Sequence, residues 1–341
     1  MAREELQPQS RTFAAGIDFI RRNRAAGDWF LQIETFDPHE PFFSDRKYKD
    51  LYAGHYDRYK GKPFDWPHYR EVMETTEEVE HCRHEYAALV SMCDANLGLV
   101  LGAMDDLDLW KDTMLIVWTD HGFLLGEHDC WAKLWTPWYQ ELAHTPFFVW
   151  DPRCGKRGER RQALVQPAID LGPTILECFG VERTPDMLGK PLRETIATDA
   201  SVRDAGLFGA FGGAVNVTDG RYVYMHPPSS PSNAPLYEYT LMPTRMRQPF
   251  SVSEVKTMEK SAPFTFTKGC SVMRFDGHNP WASSPRNLRK QLWDVREDPL
   301  QMAPLSDAKV ESRMVAHMVR LMKECDAPVE QFERLGLTRA N

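Results

Sequence analysis

The sequence predicts an α/β fold, a mostly parallel sheet flanked by helices, with a smaller C-terminal antiparallel sheet and one helix after it. Three observations predict it. The runs TMLIVWTD (113–120) and TPFFVWDP (145–152) are near-continuous apolar stretches of strand length, the pattern of strands buried on both faces. Helical periodicities lie between and around them, and strands alternating with helices favour parallel pairing. After about residue 200 the texture changes to short strands, turns and prolines.

The elements follow in order. Residues 12–24 read as a helix with Phe13, Ile17 and Ile20 on one face. WFLQIETF (29–36) is an apolar run of strand length, stopped by the two prolines of DPHEPF (37–42). Residues 43–69, rich in Tyr, Lys, Asp and Pro, read as a surface excursion with short helices. Residues 75–109 are helical, with Tyr86, Leu89, Val90, Cys93, Leu97, Val100, Leu101 and Met104 near helical spacing. IDLGPTILECFG (169–180) is a short helix closed by Gly180. GAVNVTDGRYVYMH (213–226) reads as a hairpin around a TDG turn. QLWDV (291–295) and a helix over 307–325 complete the chain. The expected division is an α/β domain over 1–200 and a C-terminal subdomain over 201–341, with no internal repeat.

The 341 residues suffice for a large core, and 42% hydrophobic with 26% charged residues is a globular balance. A net charge of −8 without a basic block argues against nucleic acid as a partner. No apolar run is read as long enough to span a bilayer, so no membrane partner is expected. The seven cysteines are scattered without a CxxC pair and read as buried free thiols. The first residues, MAREELQPQSRTF, show no signal-peptide pattern.

Chemistry-bearing residues are densest in WTDHGFLLGEHDCWAK (118–133). A buried strand runs into Asp120 and His121, and Gly122 opens a turn. Ligands bind beyond the carboxyl ends of such strands. An acid and an imidazole side by side there are well placed to hold a metal. The carboxylate suits a hard cation such as calcium, and the imidazole is less usual for it. Taken alone, DHG reads as a helix cap and a satisfied histidine. Gly126, Glu127 and His128 follow, and Lys133 comes thirteen residues after Asp120.

This run resembles the motif of the sulfatases in the alkaline-phosphatase superfamily, an Asp-His or Asp-Asn after a strand and then GEHxxWxK. The spacing is most similar to the iduronate-sulfatase and choline-sulfatase branches. Residues 19–42 resemble the segment that carries a histidine before PF. YAALVSMCDANLGLVL (86–101) is similar to the family's long helix. IDLGPTILECFG with LGKPL (188–192), and LWDVREDPLQMAPL (292–305), resemble the stretches after the sheet. The resemblance implies Asp120 and His121 as metal ligands, with Ca²⁺ the expected ion. It implies Lys133 as the cation that neutralises a sulfate oxygen. His39 would contact the sulfate or protonate the leaving oxygen, and His128 is a second candidate for that acid.

The resemblance also implies an adjacent aspartate pair on an earlier strand and a CxPSR or SxPSR segment, whose Cys or Ser becomes formylglycine. Neither occurs in these residues. Asp105 and Asp106 read as a solvated helix end, and Ser283, Ser284, Pro285 and Arg286 carry the right letters in the wrong spacing. The expectation is therefore a chain that begins inside a longer protein, the other account being a natural chain that has lost catalysis. A signal peptide would have been lost with the missing part, so localisation is left open. The chain's central sheet would expose apolar edges, and the chain would be poorly soluble or oligomeric. The expected reaction is hydrolysis of a small-molecule or carbohydrate sulfate ester, a sulfated sugar preferred. The rivals are a phosphate or phosphonate monoester hydrolase of the same superfamily and a non-catalytic module binding sulfated glycans or a partner chain. Trp131, Trp135 and Trp138 suit sugar stacking, but their helical spacing favours a core stripe.

Overall fold

A computed structural model describes residues 7–134, 137–279 and 289–339; Trp135 and the Ser283 to Arg286 segment lie outside them. The chain divides into two compact, interleaved units. One comprises residues 1–117, 123–132 and 148–158, and the other residues 118–122, 133–147 and 159–341.

The first unit is built on helices. They are α1 (Pro8–Asn23), the single turns α2 (Arg46–Lys49) and α3 (Ala53–Tyr56), and the long α4 (Thr76–Asp106). Pro8 opens α1, where its missing N–H costs nothing. Thr75 and Glu78 form a reciprocal capping box that fixes the start of α4. The helical stretch expected over 75–109 thus forms, ending three residues early. Asp105 and Asp106 are exposed at that end, and Asp105 accepts the Trp110 indole N–H at 2.7 Å.

α4 serves two cores. Toward its C-terminal end, Val100, Ala103 and Met104 bury Ile17 and Ile20 of α1. Toward its N-terminal end, Cys82, Ala88, Leu89 and Met92 pack on Phe42, Tyr48 and Trp131. By length and apolar content α4 is adequate for a bilayer span, which corrects the expectation that no segment is. Its buried residues pack into these two cores, and Asn96 donates to the Gln9 side chain at 3.2 Å, as befits a core helix.

Four short strands follow the helices: β1 (Leu115–Trp118), β2 (Leu124–Leu125), β3 (Trp131–Ala132) and β4 (Phe147–Trp150). β2 and β3 form a hairpin, and β1 pairs with β4. Two expectations change here. Residues 29–36 form no ladder among the described residues. Trp29, Leu31 and Ile33 pack against the α1–α4 core and Phe30 is exposed, so the apolar alternation serves a helix surface. β1 is not buried on both faces: its four residues are all partly exposed, because β4 is its one sheet partner among the described residues.

In the second unit, α5 (Gln140–Ala143) precedes α6 (Pro167–Cys178) and α7 (Arg193–Thr198). Buried Asp170 accepts two hydrogen bonds from Arg203, each 2.5 Å, and takes the backbone N–H of Lys190 at 2.8 Å. Thr174 receives Leu192 N–H, so the IDLG and LGKPL stretches form one bonded unit.

The antiparallel sheet expected in the C-terminal part is there twice. β5 (Gly206–Gly209), β6 (Val215–Thr218), β7 (Tyr222–His226) and β11 (Gln291–Asp294) make one sheet in the order β11-β7-β6-β5. Tyr224 stands opposite Val217 on one side and Leu292 on the other. β8 (Tyr237–Thr240), β9 (Glu259–Ser261) and β10 (Val272–Asp276) make a second, with α8 (Val252–Thr257) leading into β9. α9 (Ala308–Glu324), capped by Asp307, lays Met314, Met318 and Met322 at i, i+4, i+8 on the first sheet. α10 (Val329–Arg334) adds Phe332 to that core. Each such side chain contributes about 1.5–3 kcal/mol by burial. Of the three tryptophans, the two described ones, Trp131 and Trp138, do not share a helix. Trp131 lies fully buried in β3, donating to Glu74 at 2.7 Å, and Trp138 is half-buried ahead of α5.

His81 on α4 gives the first unit a pH dependence. Burial pushes it from the usual 6.5 down to about 4, and the charges of His55, Lys49 and His84 push the same way. A folded value below the unfolded one means that the neutral form is the stabilising one. Its contribution is full above about pH 6.5 and is lost as pH falls toward 4. Denaturant midpoints should drop over that window, and the drop should shrink in His81→Phe. An unchanged slope in the variant would assign the acid sensitivity to other groups.

Candidate active site

The end of β1 turns sharply at Asp120, His121 and Gly122. A Cβ on Gly122 would overlap the carbonyl oxygen of Glu141, and Gly122 N–H donates to Leu142 O at 2.9 Å. Glycine is needed here for close approach to the α5 backbone. α5 is held in turn by Gln301, whose side-chain oxygen accepts Gln140 N–H at 2.7 Å, and by the edge contact of Tyr139 with buried Trp293. The LWD and DPLQ letters of the C-terminal stretch therefore support the turn. Trp118 Nε1 donates to Thr145 Oγ1 at 3.2 Å and fastens the strand end from its other side.

The turn fixes the histidine's tautomer. His121 Nδ1 lies 2.9 Å from Gly122 O, and a carbonyl only accepts, so Nδ1 carries the proton and Nε2 keeps its lone pair. That Nε2 lies 3.5 Å from Asp120 Oδ2 and 3.2 Å from Lys133 Nζ. Asp120 is well exposed, and its Oδ1 accepts His121 N–H at 2.9 Å, which leaves Oδ2 for another cation. Lys133 is buried to 8% exposure. The sequence separation of thirteen residues thus collapses into one cluster of an acid, a bare imidazole nitrogen and an ammonium.

Lys133 is set by backbone geometry as well. Ala132 (φ 70°) and Leu134 (φ 77°) flank it in the left-handed region, which non-glycine residues seldom occupy. Such strain, about 1–3 kcal/mol per residue, is characteristic of residues held for a function.

His39 and His128 belong to the first unit. His39 Nδ1 lies 2.7 Å from Glu40 O and 3.2 Å from the buried Glu40 carboxylate, so its proton is on Nδ1 and Nε2 is the exchanging nitrogen. The ring packs on Phe36 at 4.2 Å. Tyr69 donates to Glu40 Oε1 at 2.8 Å and completes the support. Burial raises the carboxyl of neighbouring Asp37, with the charge of His39 pulling the other way. His128 sits at φ 53° in the tight turn between β2 and β3. There Glu127 accepts Leu125 N–H at 2.5 Å and pairs with Arg83 at 3.3 Å, so GEH builds the hairpin turn as well as offering an imidazole.

Asp120 and the bare Nε2 of His121 fit half of a divalent-cation site: one carboxylate and one imidazole 3.5 Å apart, with a lysine ammonium already drawn to that nitrogen. Hard cations take six or more ligands, mostly oxygen, so further acids are needed for tight binding. All three clustered residues stand out in the sequence motif, whereas their supports do not. Gly122 was legible only as a turn, and Gln301 carried no local signal.

The sulfatase family profile matches residues 7–181. An arylsulfatase of Clostridium perfringens (strain 13 / Type A) is 23% identical over 209 residues, which are 57% of this chain and 42% of that enzyme. An N-acetylglucosamine-6-O-sulfatase of Bacteroides thetaiotaomicron is 29% identical over 115 residues, 34% of this chain and 20% of its own. The chain therefore spans less than half the length of these relatives. The solved structure of a phosphonate monoester hydrolase from Silicibacter pomeroyi superposes with a TM-score of 0.57 at 18% identity. The match covers 95% of this chain and 62% of that one. At this identity the likeness concerns the fold.

Gly122→Ala should cost about 1–3 kcal/mol, because two backbones must separate to admit the methyl group. The chemical-denaturation midpoint should fall accordingly. A midpoint equal to that of the parent chain would mean that the turn is not pinned against α5.

Proposed function

The chain belongs to the sulfatase family, and from that premise we propose that the intact protein hydrolyses a sulfate monoester of a sulfated sugar. The observation that carries the reading is the placement of His121 Nε2, 3.2 Å from Lys133 Nζ and 3.5 Å from Asp120 Oδ2. In this reading Lys133 lies against a sulfate oxygen and neutralises charge that builds there during S–O cleavage. Its burial strengthens that interaction, since water does not screen it. Asp120 and His121 hold the metal, for which Ca²⁺ is the proposed ion. When bound, the ion would polarise the ester and help offset the anion's charge. His39, with its Nδ1 proton pinned to Glu40, exchanges a proton at Nε2 and serves the leaving oxygen. His128 is the second candidate for that acid.

The proposed nucleophile is the formylglycine of the family, which the 341 residues do not supply: none of the seven cysteines begins a CxPSR. The relative that acts on N-acetylglucosamine-6-O-sulfate supports the choice of a sugar ester. The domain division at about residue 200 is retained as a proposal, supported by the family match over 7–181. Pairing of β1 with β4 is taken as the edge of the family's parallel sheet. A phosphate or phosphonate monoester is the second reading, favoured by the fold shared with the phosphonate hydrolase. The same ammonium and metal suit either anion.

Two assays test this. The 341 residues alone should not turn over aryl sulfates. Extended with a family segment carrying the aspartate pair and CxPSR, the protein should hydrolyse sulfate esters faster than phosphonates. In that form Lys133→Ala should lower kcat/KM by about 10²–10³ with Ca²⁺ affinity retained, and Asp120→Ala should abolish Ca²⁺ binding in calorimetry. Turnover by the unextended chain, or calcium binding indifferent to Asp120, would contradict the assignment.

A further inference from the structure

A second group of metal-ligating side chains lies in the first unit, on elements that the proposed hydrolysis does not use. His55 comes from α3, and Glu80 and His84 are one turn apart on α4. One ligand atom from each lies within 4.8 Å of the others. We propose that His55, Glu80 and His84 bind a borderline transition-metal dication, Zn²⁺ by preference, which staples α3 to α4.

The hydrogen bonds around the group present it for coordination. His84 Nδ1 lies 2.8 Å from the Glu80 carbonyl, so the proton is on Nδ1 and Nε2 is bare. His81 turns its Nε2 toward Glu85 Oε1 at 3.6 Å, and its Nδ1 lies 3.0 Å from His55 Nε2. In the tautomer that directs the His81 proton at the carboxylate, Nδ1 of His81 accepts Nε2–H of His55. That leaves Nδ1 of His55 as the nitrogen with a lone pair. A histidine ligand oriented through its other nitrogen by a second residue is the usual support of a metal centre. Lys49, 2.5 Å from Glu85 Oε2, anchors the far end of this relay.

The donor set selects the ion. Two imidazoles and one carboxylate make a three-ligand zinc set with an open fourth position, whereas calcium asks for six to eight oxygens. Glu80 is exposed, His84 half-buried and His55 buried, so the ion has access from solvent and an inner anchor. The rings of His55 and His84 stack at 3.9 Å and 6°. Lone pairs lie in the ring planes, so coordination tilts the rings out of this stack. The stack is then the metal-free form of the site. The benefit is mechanical. α3 is a single turn in the 43–69 excursion, too short to hold itself in place by helix formation. A metal bond to α4 fixes it.

Calorimetric titration of the chelator-stripped chain with ZnCl₂ tests this. One saturable Zn²⁺ per chain is expected, weakened at least ten-fold in His84→Gln and in Glu80→Gln and retained in Asp120→Asn. Co²⁺ should give a visible d–d spectrum that His84→Gln removes. His84 and Glu80 are accessible, so these variants should keep the parent circular dichroism even where the buried His55→Gln does not. Three outcomes would overturn the proposal: no saturable Zn²⁺ binding, binding unchanged in both folded variants, or binding lost only in Asp120→Asn.

Discussion

The arrangement depends on one place where two backbones touch. Gly122 meets the carbonyls of Glu141 and Leu142 with no room for a β-carbon, and this contact ends β1 in a turn rather than a continuing strand. The turn aims Gly122 O at His121 Nδ1, which bares Nε2 toward Asp120 and Lys133. A backbone contact of this kind tolerates little displacement, because carbonyl oxygens cannot swing aside as side chains do. Support for it comes from far along the chain. Gln301 caps the start of α5, and Trp293 braces Tyr139. The C-terminal stretch thus acts on the site through α5.

Much of this was legible in the residues. α4, α6, the hairpin of β6 and β7, β11 and α9 all fall where periodicity and turn chemistry put them, within a few residues. These elements carry local signals: a capping box at Thr75, a left-handed Gly180, an Asp219–Gly220 turn, methionines at helical spacing. Asp120, His121 and Lys133 stand out through motif spacing, and His121 Nε2 lies 3.2 Å from Lys133 Nζ and 3.5 Å from Asp120 Oδ2.

What was not legible depends on pairing and on distance along the chain. Residues 29–36 have the composition of a strand, but a strand exists only where a neighbour supplies hydrogen bonds. Here the alternation of Trp29, Leu31 and Ile33 meets helices instead. Trp131 looked like the start of a helical stripe and is instead the centre of a hairpin, because the left-handed residues around Lys133 break any helix there. α4 passes as a membrane-length segment, and what makes it a core helix is where its buried residues pack. Gln301 has no reason to be read as functional until α5 is seen to start on it.

The turn at Gly122 fixes His121 with Nε2 bare beside Asp120 and Lys133. The direct measurement is the ¹⁵N-resolved NMR spectrum of the His121 ring in the folded chain at neutral pH. The expected spectrum shows a proton on Nδ1, a non-protonated Nε2, and a shift of the Nε2 resonance when Lys133 is replaced by alanine. A proton found on Nε2 would contradict it, since that nitrogen would then be closed to a metal.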